Sequence, residues 1–345
     1  MPDGRMNGVM ELEGFLNLLK PPGMTSHDVV AYVRRLTGTK KVGHAGTLDP
    51  AAAGVLLVCL GQATKVAAFL TEQDKSYRGE MILGAATDSQ DSSGQVIARR
   101  EDFAISREEI TAVLAEFAGE LLQVPPMVSA VKHHGRRLYE LARAGEVVER
   151  QPRRVTIHRL ELVEIVPGPG QPAGEPAEDP TGQTLGKPVE DRYGPGARVI
   201  FDVSCSKGTY IRTLCHDLGD RLGCLAHLGF LVRTRTGSFE LRESLTLEEL
   251  TAAVKAGDLA GRLLPLDWAL GALPAVVCKP GAAEAARHGA AIYSPGVDRQ
   301  DDGILPGMQV RVYDPRGAFI SVARAREDAA GLSFRPVRVF QSPKQ

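Results

Sequence analysis

The hydrophobic pattern of this chain changes character about three-quarters of the way along it. Up to about residue 271, apolar residues recur at helical spacing or in longer strand-like runs. After Pro274, short apolar runs such as 275–278 and 308–313 alternate with Gly and Pro, as in a small β-barrel. A length of 345 residues also fits about two domains at roughly 150 residues each. We therefore predict two units, 1–271 and 272–345.

The first unit mixes helix and strand signals, which favours an α+β class. Residues 15–19, 76–84 and 199–205 are predicted strands, and the partial alternation over 153–166 predicts a strand whose register changes near Leu160. Capping boxes at Ser106–Glu109 and Thr246–Glu249 predict helix starts. Residues 210–222 carry leucines on one stripe before Gly223, which predicts a further helix.

Charge is nearly balanced overall but unevenly distributed. The chain has 41 Lys and Arg against 42 Asp and Glu, a net charge of −1, which taken alone argues against a nucleic-acid partner. The segment 132–159, however, holds eight basic and three acidic residues. A solvated helix face would explain such a run, but Pro125-Pro126 and the glycines at 135 and 145 favour a protruding arm that contacts phosphates. The Pro/Gly-rich stretch 167–196 is acidic and is predicted to be a surface insert without regular structure.

Several classes of protein find no support in the sequence. No apolar run approaches the ~20 residues of a membrane span. The start of the chain does not resemble a signal peptide, and five widely spaced cysteines favour reduced thiols, so we expect a cytoplasmic protein. Cys and His residues between 205 and 227 lack metal-ligand spacing, and no dinucleotide or phosphate-loop fingerprint is present.

The most specific local feature is the segment 43–50, GHAGTLDP. Gly43 and Gly46 flank His44 and permit close approach of a ligand or of other backbone. Pro50 biases Asp49 away from helical geometry. An aspartate before a proline is by itself usually a turn residue, so the neighbouring motifs decide how it is interpreted.

Five motifs in a fixed order resemble the TruB-type tRNA pseudouridine synthases, from Gly14 to about Phe340. They are KP with GMTS at 20–26, GHAGTLDP at 43–50, KSYR at 75–78, QVPP with SAVK at 123–132, and KGTYIRTL at 207–214. The resemblance implies a pseudouridine synthase fold with a mixed, mostly antiparallel sheet and a central cleft. It also implies a C-terminal barrel resembling the PUA domain, a small RNA-binding module.

The resemblance assigns roles to residues of the cleft. Asp49 matches the catalytic aspartate, and Arg212 matches the arginine that pairs with it and keeps it ionised and oriented. Tyr77 matches the tyrosine that stacks on the target base, Tyr210 a second pocket tyrosine, and Leu231 an apolar pocket residue. On pattern alone, Tyr77 and Leu231 are core residues and Arg212 is a surface charge on a helix.

The remaining implied roles concern RNA. His44 matches the histidine that helps displace the target nucleotide, and Lys20 a lysine at the cleft that contacts RNA backbone. Residues 124–152 match the RNA-gripping insertion, with candidate phosphate contacts at Lys132, Arg136, Arg137 and Arg143. The implied substrate is uridine 55 in the T-loop of tRNA, converted without cofactor or metal by a protein expected to be monomeric and to need no obligate protein partner.

Two departures and three alternatives accompany the resemblance. Val128 stands where relatives usually have Tyr, and Val232 precedes Arg233 where two basic residues are common, so one phosphate contact is expected to be missing. A guide-RNA-dependent relative, a non-catalytic RNA-binding or RNA-folding protein, and a glycoside hydrolase remain open. The basic arm argues against the first of these, and the single matched carboxylate argues against the last.

Overall fold

The computed structural model describes residues 12–129, 131–169, 192–328 and 331–340. Across these ranges one large sheet dominates, and it contains nine strands. They are β1 (Gly14–Lys20), β2 (Val42–Ala45), β3 (Ala53–Leu60), β4 (Lys75–Leu83), β8 (Gly119–Gln123), β11 (Arg153–Val166), β13 (Arg198–Cys205), β14 (Ala226–Thr236) and β15 (Phe239–Glu240). The main path of the sheet runs β1-β3-β14-β4-β13-β11-β8, with β2 beside β3 and β15 beside β14.

The sheet is mixed but mostly antiparallel, as predicted, and its one described parallel pairing lies at the functional centre. That pairing joins β14 to β3, with Arg233 opposite Gly54, while the other side of β14 pairs antiparallel with β4. Every residue of β3 is buried, which places β3 in the middle of the molecule. The register change predicted near Leu160 is present as two irregularities in β11, after Ile157 and after Leu162.

Helices cover the sheet, and their starts and ends follow local chemistry. They are α1 (Ser26–Thr37), α2 (Ala67–Thr71), α3 (Arg107–Glu116), α4 (Leu138–Arg143), α5 (Ile211–Leu222), α6 (Leu247–Ala256) and α7 (Pro280–Arg287). Thr25, Ser106 and Thr246 close capping boxes at the starts of α1, α3 and α6. Helix α5 ends at Gly223, whose φ of 69° is left-handed.

The last part of the chain forms a second sheet, ordered β17-β21-β20-β19-β16-β18 in the described residues. Its strands are β16 (Ala275–Cys278), β17 (Ile292–Tyr293), β18 (Val297–Gln300), β19 (Gln309–Tyr313), β20 (Phe319–Asp328) and β21 (Gly331–Val339). The outer strands β17 and β18 are joined through the single turn 294–296, so the sheet curls into a nearly closed barrel. Val322 and Phe340 pack with Phe15 and Phe239, which ties the barrel to the main core.

The arm, residues 124–152, is a small projecting unit. A two-stranded ribbon, β9 (Lys132–His133) and β10 (Arg136–Arg137), precedes α4. His134 and Gly135 at its tip have φ of 47° and 85°, as a two-residue hairpin turn requires. Gly135 therefore serves a tight turn at the tip of the arm.

The acidic insert predicted over 167–196 is only partly described. Residues 170–191 lie outside the described residues. The prediction of irregular structure is wrong for its far end, because β12 (Arg192–Tyr193) pairs with β7 (Ile105–Ser106) and Tyr193 is buried. A third small pair joins β5 (Ala85–Thr87) to β6 (Val96–Arg99).

Candidate active site

The catalytic loop, residues 46–50, follows β2 and carries Asp49. Its first carbonyls are held from β14, where Arg233 donates from Nη2 to Gly46 at 3.1 Å and from Nη1 to Thr47 at 3.3 Å. The next residue is held from α1, since Ser26 Oγ donates to the carbonyl of Leu48 at 3.2 Å and accepts from its N–H at 2.9 Å.

The second half of the catalytic loop is fixed in the same way. The carbonyl of Asp49 accepts from the N–H of Ala52 at 3.1 Å. The carbonyl of Pro50 accepts from the N–H of Gly23 at 2.8 Å and from Lys20 Nζ at 3.2 Å. Five successive carbonyl groups are therefore hydrogen-bonded, so the backbone beneath the Asp49 side chain is fixed from three directions.

The Asp49 carboxylate is half-exposed and is oriented by a buried arginine. Arg212 Nε lies 3.0 Å from Asp49 Oδ2, and the Arg212 side chain is 5% exposed against 45% for Asp49. The same guanidinium reaches Asp91 Oδ2 at 3.7 Å and donates to the carbonyl of Ser89 at 3.3 Å. One buried cation thus holds two carboxylates, and the more exposed of them faces the cleft.

Arg212 and Tyr210 are both tied to the start of the arm. Arg212 Nη2 donates to the carbonyl of Val128 at 2.8 Å. Gln123, which is buried at the end of β8, accepts from the N–H of Tyr210 at 2.7 Å and donates to its carbonyl at 3.0 Å. Because Tyr210 precedes α5 and has no side-chain cap of its own, Gln123 supplies the missing partner at this helix start.

Tyr77 lies on β4, directly across the strand pair from Arg233. Its hydroxyl lies near the Arg233 guanidinium, and burial raises the pKa of Tyr77 to about 12. Leu231, two residues before Arg233, is buried in the same apolar cluster as Leu48, and Tyr77 packs against that cluster. The structure therefore brings Tyr77, Leu231 and the catalytic loop together.

His44 is half-buried at the end of β2 and meets a second histidine. Its ring lies edge-on to His27 of α1, with 5.2 Å between the ring centroids. Burial lowers the pKa of His44 to about 4, helped by the nearby His27 and Arg233. Its buried Nδ1 has no hydrogen-bond partner among the described groups. His44 is therefore a neutral imidazole near pH 7.

Lys20 does not occupy the position that its expected RNA contact requires. Its side chain is 0% exposed, and Nζ donates to the carbonyls of Pro21 at 2.8 Å, Met24 at 2.7 Å and Pro50 at 3.2 Å. Burial lowers the pKa of Lys20 to about 8, an effect that Asp49 partly opposes. With all three donors engaged inside the protein, Lys20 supports the catalytic loop and has no donor left for a phosphate.

The four candidate phosphate contacts of the arm are all exposed: Lys132, Arg136, Arg137 and Arg143. Arg136 pairs with Glu146 at 3.1 Å, and the Arg137 and Arg143 guanidinium groups lie 5.9 and 5.5 Å from the Tyr139 ring centroid. These are solvent-facing contacts that a polyanion can replace.

Neither a metal centre nor a membrane segment emerges from the described residues. No group of three or more His, Cys, Asp or Glu side chains there is arranged to hold a metal ion. Cys59, Cys205, Cys215, Cys224 and Cys278 are buried free thiols. None of the helices in the described ranges is both long enough and apolar enough to cross a lipid bilayer.

Comparison with known proteins identifies the family to which this site belongs. Family models match in three consecutive blocks: the N-terminal domain of the TruB family pseudouridylate synthases at 34–171, the C-terminal domain of tRNA pseudouridylate synthase B at 212–271, and the PUA domain at 274–332. The chain is also 46% identical over 331 residues to "tRNA pseudouridine synthase B" of Pelotomaculum thermopropionicum, covering 95% of this chain and 97% of the relative. The chain belongs to the TruB family.

Further matches extend the family assignment. The protein of the same name from Symbiobacterium thermophilum is 52% identical over 281 residues, covering 81% of this chain and 83% of the relative. Among solved structures, the chain resembles one in a Cbf5-Nop10-Gar1 complex, with a TM-score of 0.70 and 29% identity, covering 97% and 86% of the two chains. An H/ACA RNP bound to a substrate RNA containing 2′-deoxyuridine gives the same TM-score at 27% identity, covering 97% and 87%.

Sequence reasoning missed three members of this TruB-family site. The pattern places Arg233 only in a basic pair at the surface, yet it is 1% exposed and holds the catalytic loop. Asp91 and Gln123 have no role on sequence alone, although they contact Arg212 and Tyr210. The alternation of β14 offers one usable signal, since it places Arg233 on the same face of the strand as the buried Leu231.

Proposed function

We propose that this protein isomerises uridine to pseudouridine at position 55, in the T-loop of tRNA, with Asp49 as the catalytic residue. The observation that carries the proposal is the Asp49–Arg212 ion pair, 3.0 Å long, next to the apolar cluster in which Leu48 and Leu231 are buried and against which Tyr77 packs. Curated relatives that are 43 to 52% identical are named tRNA pseudouridine synthase B, which supports this reaction and this class of substrate.

The reaction retains every atom of the nucleotide. The bond from N1 of uracil to C1′ of the ribose breaks, the base turns, and a bond from C5 to C1′ forms. C5 then loses its proton and N1 takes one up, so the product is an isomer of the substrate. A carboxylate beside the ribose can act as nucleophile on the sugar or the base, or as a base toward a sugar proton. In each case it must be ionised and must point at C1′ or the ring edge, and the Arg212 contact favours both conditions.

The apolar side of the cleft suits an extruded base. Tyr77 offers a ring on which uracil can stack, and Leu231 lines the adjoining wall. His44, a neutral imidazole at the edge of the same loop, is placed to occupy the space that the extruded nucleotide leaves in the T-loop. These roles follow the family assignment and the position of each side chain around the catalytic loop.

RNA binding is assigned to the arm and to the C-terminal barrel. The exposed arginines of the arm would contact the T-stem backbone, and the PUA-like unit, which we place at 272–345, would contact the acceptor stem. We further propose a monomer that acts in the cytoplasm without a protein partner. The five buried free thiols are consistent with a reducing compartment.

The guide-RNA-dependent alternative has weaker support. It finds support in two structural neighbours of 27 and 29% identity, one in an H/ACA RNP bound to a substrate RNA and one in a Cbf5-Nop10-Gar1 complex. The sequence relatives from Symbiobacterium thermophilum and Heliobacterium mobile, at 52 and 42% identity, carry the name of the tRNA enzyme. The arm, which contributes its own exposed basic residues, also favours direct binding of the substrate.

The test is to incubate the purified protein alone with an unmodified tRNA transcript and to map the product by carbodiimide adduct and primer extension. A single pseudouridine at position 55 is the expected result. Modification elsewhere would overturn the assigned position, and modification only in the presence of a guide RNA would support the alternative. Binding without any modification would indicate an RNA-binding or RNA-folding protein.

A further inference from the structure

Arg233 is the largest of the fully buried side chains in the described part of the molecule. It lies near the middle of β14, between the parallel neighbour β3 and the antiparallel neighbour β4. A charged residue in the centre of a sheet is costly to bury, and an apolar side chain of similar size would often stabilise such a position more. The partners of this cation must therefore account for its presence.

Those partners are groups of the active site. Beyond the carbonyls of Gly46 and Thr47, Nε donates to the carbonyl of Val55 on β3 at 2.7 Å. Tyr77 is directly opposite Arg233 on β4, and its hydroxyl lies near the guanidinium. One buried arginine thus adjoins both the first residues of the catalytic loop and the tyrosine on which the base would stack.

The glycines next to Arg233 show how closely the neighbouring backbone approaches it. Gly54 has a φ of 113°, and a Cβ there would lie 2.2 Å from the Arg233 carbonyl oxygen. Gly46 has a φ of 87°, and a Cβ there would lie 3.6 Å from Arg233 Nη1. Gly54 therefore leaves the space that lets β14 lie directly beside β3, whereas Gly46 is favoured by its left-handed backbone and not by lack of space.

The neighbouring Arg235 shows that this arrangement belongs to Arg233 specifically. A β-bulge separates the two residues, so Arg235 pairs with Ser76, the neighbour of Tyr77, and faces the other side of the sheet. It bonds to Ser76 and Ser204 and to the carbonyl of Gly237, and none of these groups belongs to the catalytic loop. A lysine at position 233 would carry the charge, but its single nitrogen cannot reproduce a planar fork that donates to three separated carbonyl acceptors.

We propose that Arg233 is a positioning residue for catalysis: it fixes the backbone of the catalytic loop and the Tyr77 ring relative to each other, so that Asp49 and the stacked base meet in reactive geometry. The proposal rests on the proposed function. It assigns Arg233 no contact with RNA, because its side chain is buried and all its described partners lie in the protein. It therefore concerns the rate of the chemical step and leaves RNA affinity unchanged.

The experiment compares Arg233→Lys with Arg235→Lys, a matched change two residues along the same strand. The single tryptophan, Trp268, packs against Phe239 rather than at the cleft, so its fluorescence gives the folded fraction independently of the site. On an unmodified T-stem-loop, Arg233→Lys is expected to lower kcat per folded molecule by about 10²-fold, as sub-ångström misplacement of catalytic groups does, with Kd within about threefold of wild type. Arg235→Lys is expected to keep both values near wild type.

Two results would overturn the proposal. A wild-type kcat per folded Arg233→Lys molecule would show a purely structural role, and a raised Kd at unchanged kcat would show an RNA contact. A double-mutant cycle with Tyr77→Phe adds a readout that stability does not affect: the two changes should be strongly non-additive in kcat, and additive effects would contradict the shared geometry.

A second variant keeps the proposal falsifiable if Arg233→Lys does not fold. Gly46→Ala strains the backbone at the first carbonyl that Arg233 holds, because L side chains rarely adopt a φ of 87°, and it should lower kcat without weakening binding. An unchanged kcat in Gly46→Ala would overturn the positioning role. The rate of pseudouridine formation by the wild-type protein on the same stem-loop separates the two claims. An inactive wild type would contradict the proposed function, whereas an active wild type with equally active variants would contradict only the role of Arg233.

Discussion

The catalytic loop and the arm carry the two halves of the proposed activity, and they are constructed in opposite ways. In the loop, five successive carbonyls are bonded, and the cations that hold three of them, Lys20 and Arg233, are buried. In the arm, the cations are exposed, and their described partners are other surface groups such as Glu146 and Tyr139. Buried cations fix the backbone of the protein, whereas exposed ones remain available to a polyanion.

This difference in burial assigns the chemical step to the catalytic loop and the affinity for RNA to the arm. A carboxylate that acts at C1′ must be placed within a fraction of an ångström, which requires a rigid and fully bonded support. Phosphate contacts act through charge and counterion release, which tolerate side-chain motion. Arg212 of α5 bridges the two regions, because its guanidinium pairs with Asp49 and also donates to the carbonyl of Val128.

The largest expected effect comes from Asp49→Asn in the loop. The variant loses the nucleophile or base but keeps a similar shape, so we expect the single-turnover rate to fall by about 10⁴-fold or more, while Kd for the T-stem-loop stays near wild type. Asp258→Asn is the matched control, because Asp258 also pairs with an arginine, at 3.2 Å, but on an exposed helix end. Turnover by Asp49→Asn at the wild-type rate would contradict the assignment of Asp49.

The next effect concerns the arm. Replacing Arg136, Arg137 and Arg143 with Gln should weaken tRNA binding and flatten the plot of log affinity against log salt by about 0.7–0.9 for each phosphate that the arm no longer neutralises. A triple change at the exposed residues Arg107, Arg242 and Arg262 alters the net charge equally and serves as the control. An unchanged slope in the arm variant would contradict the role of the arm.

A smaller effect, on stability rather than binding, is expected for Lys20→Met. Carbonyls that Lys20 satisfies lose their donor, so the free energy of unfolding should fall by about 1–3 kcal/mol. The salt slope of RNA binding should not change, because Lys20 is buried. A flatter plot of log affinity against log salt, like that expected for the arm variant, would show that Lys20 contacts RNA after all.

The same variant tests the lowered pKa of Lys20. In the folded protein this pKa is about 8, against 10.5 for an unperturbed lysine, so between these pH values the unfolded chain binds the extra proton. The free energy of unfolding of the wild type should therefore rise relative to that of Lys20→Met between about pH 8 and 10.5. Below pH 8 the difference between the two free energies should not vary with pH. Urea unfolding at several pH values measures it, and a difference that does not vary with pH would contradict the shift.

The smallest effect should come from Glu146→Gln, which removes the carboxylate paired with Arg136. Both side chains are about half-exposed, so the free energy of unfolding should change by less than about 1 kcal/mol. Because one negative charge leaves the arm, tRNA affinity should hold or increase slightly. Weaker binding in this variant would show that the ion pair orders the arm for RNA.

Much of this fold can be predicted because local sequence indicates where its elements begin and end. The stripe of leucines before Gly223 and the capping boxes at Ser106 and Thr246 predict helices that the structure contains. Strand β3 escapes prediction: its run of apolar residues has no alternation, since both of its faces are buried. The motif around Asp49 points to the family, and the comparisons confirm that membership.

The supporting residues of the site could not be predicted, because their roles arise from contacts far apart in sequence. Lys20 and Arg233 are charged, and charge predicts a surface position, yet both lie beneath the catalytic loop. Asp91 sits in a turn-like sequence that gives no sign of its contact with Arg212, 121 positions later. Only the folded sheet brings these groups around residues 46–50.

The division between the loop and the arm is tested most directly by one measurement: the single-turnover rate of the arm triple variant at saturating T-stem-loop. We predict a saturating rate within about threefold of wild type, reached at higher RNA concentration, because the variant leaves the fully bonded loop untouched. A saturating rate that falls along with the affinity would contradict the account and would show that the arm takes part in placing the base against Asp49.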